Sequence, residues 1–136
     1  MPHRTVAGAP EYLSVEEGDR VVNRGALILR YKEPAVRWIN DADPSPSSDP
    51  VDLALVNEER TVYLINDSAG NDSDSLNRWL KRNYAHLFEI ELEGWYTDPD
   101  LWPKQRSYEL FRQWFEPELH TVLIDLGDTA IFDDEA

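Results

Sequence analysis

The chain has 136 residues, 27 acidic and 13 basic side chains and no cysteine, for a formal net charge of -14. One domain of this length buries a core without metal or disulfide support, and the missing thiols exclude disulfides, thiolate nucleophiles, Cys-ligated zinc and iron–sulfur clusters. Ten Arg and only Lys32, Lys81 and Lys104 stand among the acids, which disfavours binding of nucleic acid or an anionic membrane through a basic surface.

In chain order, residues 1–20 are rich in Gly, Pro and Glu with weak periodicity and are expected to form a loosely attached segment. A single globular domain is expected over 21–127, followed by an acidic tail at 128–136. Val21–Val22 and the run from Ala26 to Tyr31 read as strands, with Gly25 at a turn or bulge between them. Pro34 suits the first turn of a helix carrying Ala35, Val36, Trp38 and Ile39, which the loop DADPSPSSDP stops. A short helix within Val51–Glu59 precedes a strand at Thr61–Ile65.

After NDSAGNDSDS comes the longest periodic segment, with Asp72, Ser73 or Asp74 as N-cap and Leu76, Leu80, Tyr84, Leu87 and Phe88 as its apolar stripe. Gly94 is expected to end it. A second helix carries Tyr108, Leu110, Phe111, Trp114 and Phe115 on one side and is expected to close at Pro117, and His120–Leu126 reads as the last strand. The order β-α-β-α-α-β gives an α+β or small α/β fold, a three- to four-stranded sheet with helices on at least one face. The crossover lengths fit parallel pairing, and antiparallel pairing around the helices stays open.

The stretch GWYTDPDLWPKQRSYELFRQWF holds seven of the fifteen aromatic residues. Phe111, Trp114 and Phe115 lie where an amphipathic helix buries its apolar side and read as core. Trp102 precedes a proline in a loop and is either a ligand platform or a plug over the end of the sheet.

Of the groups able to do chemistry, His86, Glu89 and Glu93 share one helix face and have the donor types for a divalent ion. An exposed polar edge is the plainer reading, and no metal or other cofactor is expected. His120 either caps carbonyls at a helix end or acts as a base. Glu91 falls inside the apolar arc of its helix, between Leu80 and Tyr84, so it demands a partner, a bend or a raised pKa. Arg106 is the expected partner and Arg112 the reserve, in a pair that fixes two helices rather than a catalytic acid. There is no G-x-S-x-G elbow and no Gly-rich phosphate loop.

Gly94-Trp95-Tyr96, Leu101-Trp102-Pro103, Arg106, Trp114-Phe115 and His120, with ALILRYKEPAVRWIN and TVYLIN, resemble a group of small bacterial hypothetical proteins with no known activity. The resemblance implies a domain from about Gly25 to Leu126 and implies no mechanism, and the loops DPSPSSDP and NDSAGNDSDS are where this chain departs.

The sequence points to non-enzymatic recognition of another protein, in the cytoplasm and away from membranes; it fixes neither the partner nor the oligomeric state. The alternatives are a metal-dependent hydrolase or other small-molecule enzyme, using His86, Glu89 and Glu93 or Glu91, Arg106 and His120 around Trp102, and a DNA mimic. Mimicry needs a regular acidic stripe, whereas the acids here are scattered, as expected of a solvated surface or one adapted to a salty cytoplasm.

Overall fold

A run in which every second side chain is large and apolar, Leu27, Leu29 and Tyr31, demands a strand with one deeply covered face. The computed structural model describes residues 20–43 and 49–135, with the backbone of 4–5 and 14–15. Its elements are Arg4–Thr5 (β1), Ser14–Val15 (β2), Arg20–Val21 (β3), Arg24–Tyr31 (β4), Glu33–Asp41 (α1), Leu53–Val56 (α2), Val62–Asn66 (β5), Ser73–Trp95 (α3), Tyr108–Trp114 (α4), Phe115–His120 (β6) and Ile124–Asp125 (β7). Most of the expected segment 1–20, and residues 44–48 of the DADPSPSSDP loop, lie outside the described residues.

The fold is α+β. β4 is the centre of a three-stranded sheet ordered β5-β4-β6, and both pairings are antiparallel, with Leu27 opposite Tyr63 and Leu119. The parallel alternative is thereby excluded for this sheet. Two short antiparallel pairs, β1 with β2 and β3 with β7, complete the pairing.

One face of the sheet carries Leu27, Leu29 and Tyr31, all buried, and packs with Ala35, Val36 and Ile39 of α1, Leu80, Leu87, Phe88 and Leu92 of α3, and Phe111 and Trp114 of α4. The expected aromatic core is present: Phe88 lies 5.7 Å from Phe111, 5.4 Å from Trp114 and 5.7 Å from Phe115, ring centre to ring centre. On the other face Ala26 of β4 is buried, while Val62 and Leu64 of β5 are 53% and 49% exposed. Among the described residues the helices cover one side.

Side chains cap α2, α3 and α4, and of the three candidates Asp72, Ser73 and Asp74 the α3 cap is Asp72. Asp72 accepts from the Ser75 amide at the start of α3, Ser107 does the same from Leu110 for α4, and Asp52 from Leu55 for α2. Several boundaries differ from expectation, among them Gly25, which lies inside β4 opposite Ile65 and not at a turn or bulge before it. Gly94 does not end α3, which runs to Trp95 with Tyr96 in extended conformation as its C-cap; the Trp95 indole is anchored on Tyr31, and such a contact outweighs the roughly 1 kcal/mol that glycine costs in a helix. Pro117 does not close α4, because the chain is already extended at Phe115. It sits instead in β6 opposite Leu29, an edge strand, where a missing N–H is tolerated. His120 consequently ends a strand rather than opening one.

Candidate binding site around Glu91

Glu91 projects from the apolar side of α3 toward the sheet, where strand parity puts two tyrosines on the inner face: Tyr31 at the end of β4 and Tyr63 in β5. The Tyr31 hydroxyl donates to Glu91 Oε1 at 2.6 Å, and the Tyr63 hydroxyl donates to Oε2. Trp95 Nε1, one helical turn on, donates to the Tyr31 oxygen at 2.9 Å. The result is a continuous chain of donors, indole to phenol to carboxylate, with a second phenol closing the other oxygen.

The backbone of Tyr31 is held from a third direction. Asn57, the C-cap of α2, accepts from the Tyr31 amide at 2.9 Å and donates to the Tyr31 carbonyl at 3.2 Å, standing in for a neighbouring strand at the sheet margin. Edge-on ring contacts fix the side chain, with Phe115 at 4.9 Å and Trp95 at 6.3 Å.

Burial pushes the Tyr31 phenol well above its ordinary pKa, and the charge and hydrogen bond of Glu91 add to the shift. Tyr63 is raised in the same way, by burial first and then by its bond to Glu91. Both phenols thus hold their protons, and each donates to Glu91, the acceptor.

Beside this cluster lies a recess of about 160 Å³, lined by Tyr31, Val56, Glu59, Ile90, Glu91 and Trp95. Of its lining residues, Trp95 is 37% and Ile90 36% exposed. Arg60 also borders the recess, with a buried Nη1 that makes no hydrogen bond and stands 4.0 Å from Glu118. A second recess, of about 200 Å³, lies at the start of α3 near Trp79, Arg78 and Arg82 and holds none of the residues singled out from sequence.

The expected Glu91–Arg106 pair does not form. Arg106 donates to the Pro103 carbonyl at 2.9 Å and approaches Glu89 at 3.5 Å on open surface, while two neutral phenols satisfy Glu91. Arg112, the reserve, donates to the Tyr108 hydroxyl at 3.0 Å. The reason is geometric: Arg106 follows the turn after α3 and lies outside the core, whereas the tyrosines face Glu91 directly.

Trp102 is half-buried, donates through Nε1 to the Tyr96 carbonyl at 2.8 Å and packs against the core, with the Arg106 guanidinium 5.7 Å from its ring centre. It plugs the end of α3. His120 is exposed on the open face of the sheet, with Nε2 2.9 Å from Glu118. That contact, more than any other, holds the Glu118 carboxyl below the usual range. Glu91, Arg106 and His120 are therefore not brought together. His86, Glu89 and Glu93 are all exposed, and among the described residues no three His, Cys, Asp or Glu side chains gather as a metal site requires.

Sequence reasoning placed Glu91 correctly as a carboxylate in an apolar arc and missed Tyr31, Tyr63 and Asn57. Strand parity alone would have pointed both tyrosines at the helix layer, since they share the inner face with Leu27 and Ile65. No family model, curated protein or solved structure matches the chain. Among the described residues no helix is long and apolar enough to cross a membrane.

Proposed function

We propose that the protein is a non-enzymatic recognition module that binds a basic segment of another protein at the recess where Ile90, Glu91 and Trp95 meet. The carrying observation is what lines that recess: a carboxylate fixed by two phenols, a second carboxylate at Glu59, and an indole open to solvent. A partly exposed tryptophan at the edge of a concavity is the kind of side chain on which interfaces concentrate their binding energy. A net charge of -14 steers cationic partners toward the chain and repels acidic ones.

The hydrolase alternative draws no support from the geometry, because Glu91, Arg106 and His120 each engage a different partner on a different part of the surface. The DNA-mimic alternative rests on net charge alone and has no observation of its own. Calorimetry with a lysine-rich peptide, a glutamate-rich peptide and a neutral one of equal length tests the reading. The lysine-rich peptide binds, weakens as salt rises from about 0.05 to 0.3 M, and loses affinity in Trp95→Ala. Equal binding of all three peptides, or a Trp95→Ala variant that binds unchanged, overturns it.

A further inference from the structure

We infer that the recess beside Glu91 takes a single alkylammonium group, supplied by a lysine side chain of the partner; the inference rests on the recognition reading and adds the chemistry of the contact. Size comes first. At about 160 Å³ the recess is well below the roughly 300–1,000 Å³ of sites for drug-sized ligands, so it admits one side chain or one small organic cation and excludes a nucleotide.

Charge comes second. Glu91 and Glu59 line the recess together with one cation, Arg60, whose Nη1 stands 4.0 Å from Glu118 and makes no hydrogen bond, so the carboxylates outnumber the cations two to one. The phenols of Tyr31 and Tyr63 keep their protons and spend them on Glu91. A carboxylate offers about four acceptor positions, so Glu91 retains unfilled lone pairs for a further donor.

The walls come third. Tyr31 and Trp95 meet at an interplanar angle of 65°, giving two aromatic surfaces at a wide angle, and tryptophan is the ring that best attracts a cation. The Trp95 ring is already oriented by its bond to Tyr31, so little ordering is needed on binding. Val56 and Ile90 supply apolar surface for an alkyl stem. A guanidinium fits less well: its planar fork binds best to two unoccupied carboxylate oxygens side by side, and each oxygen of Glu91 offers only the acceptor position its phenol leaves.

The test follows backbone amide resonances of the full chain during titration with n-butylammonium, 1-butanol, guanidinium and a peptide carrying one lysine with a free ε-ammonium group. Butylammonium saturably shifts the amides of Glu59, Thr61 and Glu91–Trp95, whereas 1-butanol at the same concentration leaves them in place and guanidinium binds more weakly. Glu91→Gln weakens butylammonium at least about tenfold, the scale of one charge-assisted contact. Should Glu91→Gln not fold, Glu59→Gln, altered on an exposed turn, gives a several-fold loss in its place. An equal response to 1-butanol, preference for guanidinium, or no saturable shift at these amides overturns the inference. Shifts with butylammonium but none with the lysine peptide uphold the chemistry of the recess and overturn protein recognition. Binding of a basic peptide without shifts in the recess does the reverse.

Discussion

The phenol of Tyr31 donates to Glu91 Oε1 at 2.6 Å, joining the last residue of the central strand to the inner side of the longest helix. Glu91 is partly buried on the sheet-facing side of its helix, and two phenols hold its oxygens without introducing a second charge that must itself be desolvated. The bond should therefore contribute strongly to stability. Unfolding free energies of Tyr31→Phe, Glu91→Gln and the double variant should give a coupling of about 1.5–3 kcal/mol, the range for hydrogen bonds to charged groups. A coupling below about 0.5 kcal/mol contradicts the arrangement.

Arg106 provides the contrast. Its contact with Glu89 is long and exposed, and surface pairs of this kind contribute about 0–1 kcal/mol. Arg106→Gln should destabilise by less than about 1 kcal/mol and show no coupling to Glu91→Gln. A coupling comparable to that of Tyr31 would mean that Arg106 reaches Glu91 in solution.

Alkaline pH should loosen the fold through the same cluster. The folded-state pKa values of Tyr31 and Tyr63 are raised above the unfolded value of 10.0, so the native state holds both protons more tightly than the unfolded chain does. The associated stability is complete below pH 10 and declines as pH rises toward the folded values, by at most about 1.4 kcal/mol per pH unit for each phenol. Denaturant titrations between pH 9 and 11.5 should show this fall, and the Tyr31→Phe, Tyr63→Phe double variant should flatten it. An unchanged slope in the double variant would place the titrating groups elsewhere.

How far the sequence led depended on whether the deciding contact was local. The α3 cap at Asp72, the stripe through Leu80, Leu87 and Phe88, and the strand β5 were legible because capping and periodicity lie within one segment. The misplacement of Glu91 was legible for the same reason. Its partners were not, because Tyr31 and Tyr63 lie 60 and 28 residues away and become neighbours only once the antiparallel register is set. Gly94 and Pro117 misled for a related cause: each carries a strong local stop signal that the anchoring of Trp95 and the edge position of β6 override.

Phe88 stands where three helical and strand aromatics converge and is fully buried. Phe88→Ala should cost about 3–5 kcal/mol, combining lost burial with the cavity left behind. Thermal or denaturant unfolding checks this, and a loss below about 1 kcal/mol would mean that the ring cluster is not packed as described.

The surplus of negative charge should make stability rise with salt. Screening shortens the reach of self-repulsion several-fold between about 0.05 and 1 M KCl, so the melting temperature should climb over that range. A flat or falling curve would show that the acids are not in net repulsion.

The most direct test of Glu91 and its surroundings as a recognition site is the indole N–H spectrum of the chain's five tryptophans during titration with a lysine-rich peptide. Trp95 alone borders the Glu91 recess, while the indole N–H groups of Trp38 and Trp102 are tied to the carbonyls of Leu101 and Tyr96. A saturable shift of the Trp95 resonance, with the Trp38 and Trp102 resonances unmoved, is the expected result. A peptide that binds while the Trp95 resonance stays fixed contradicts it.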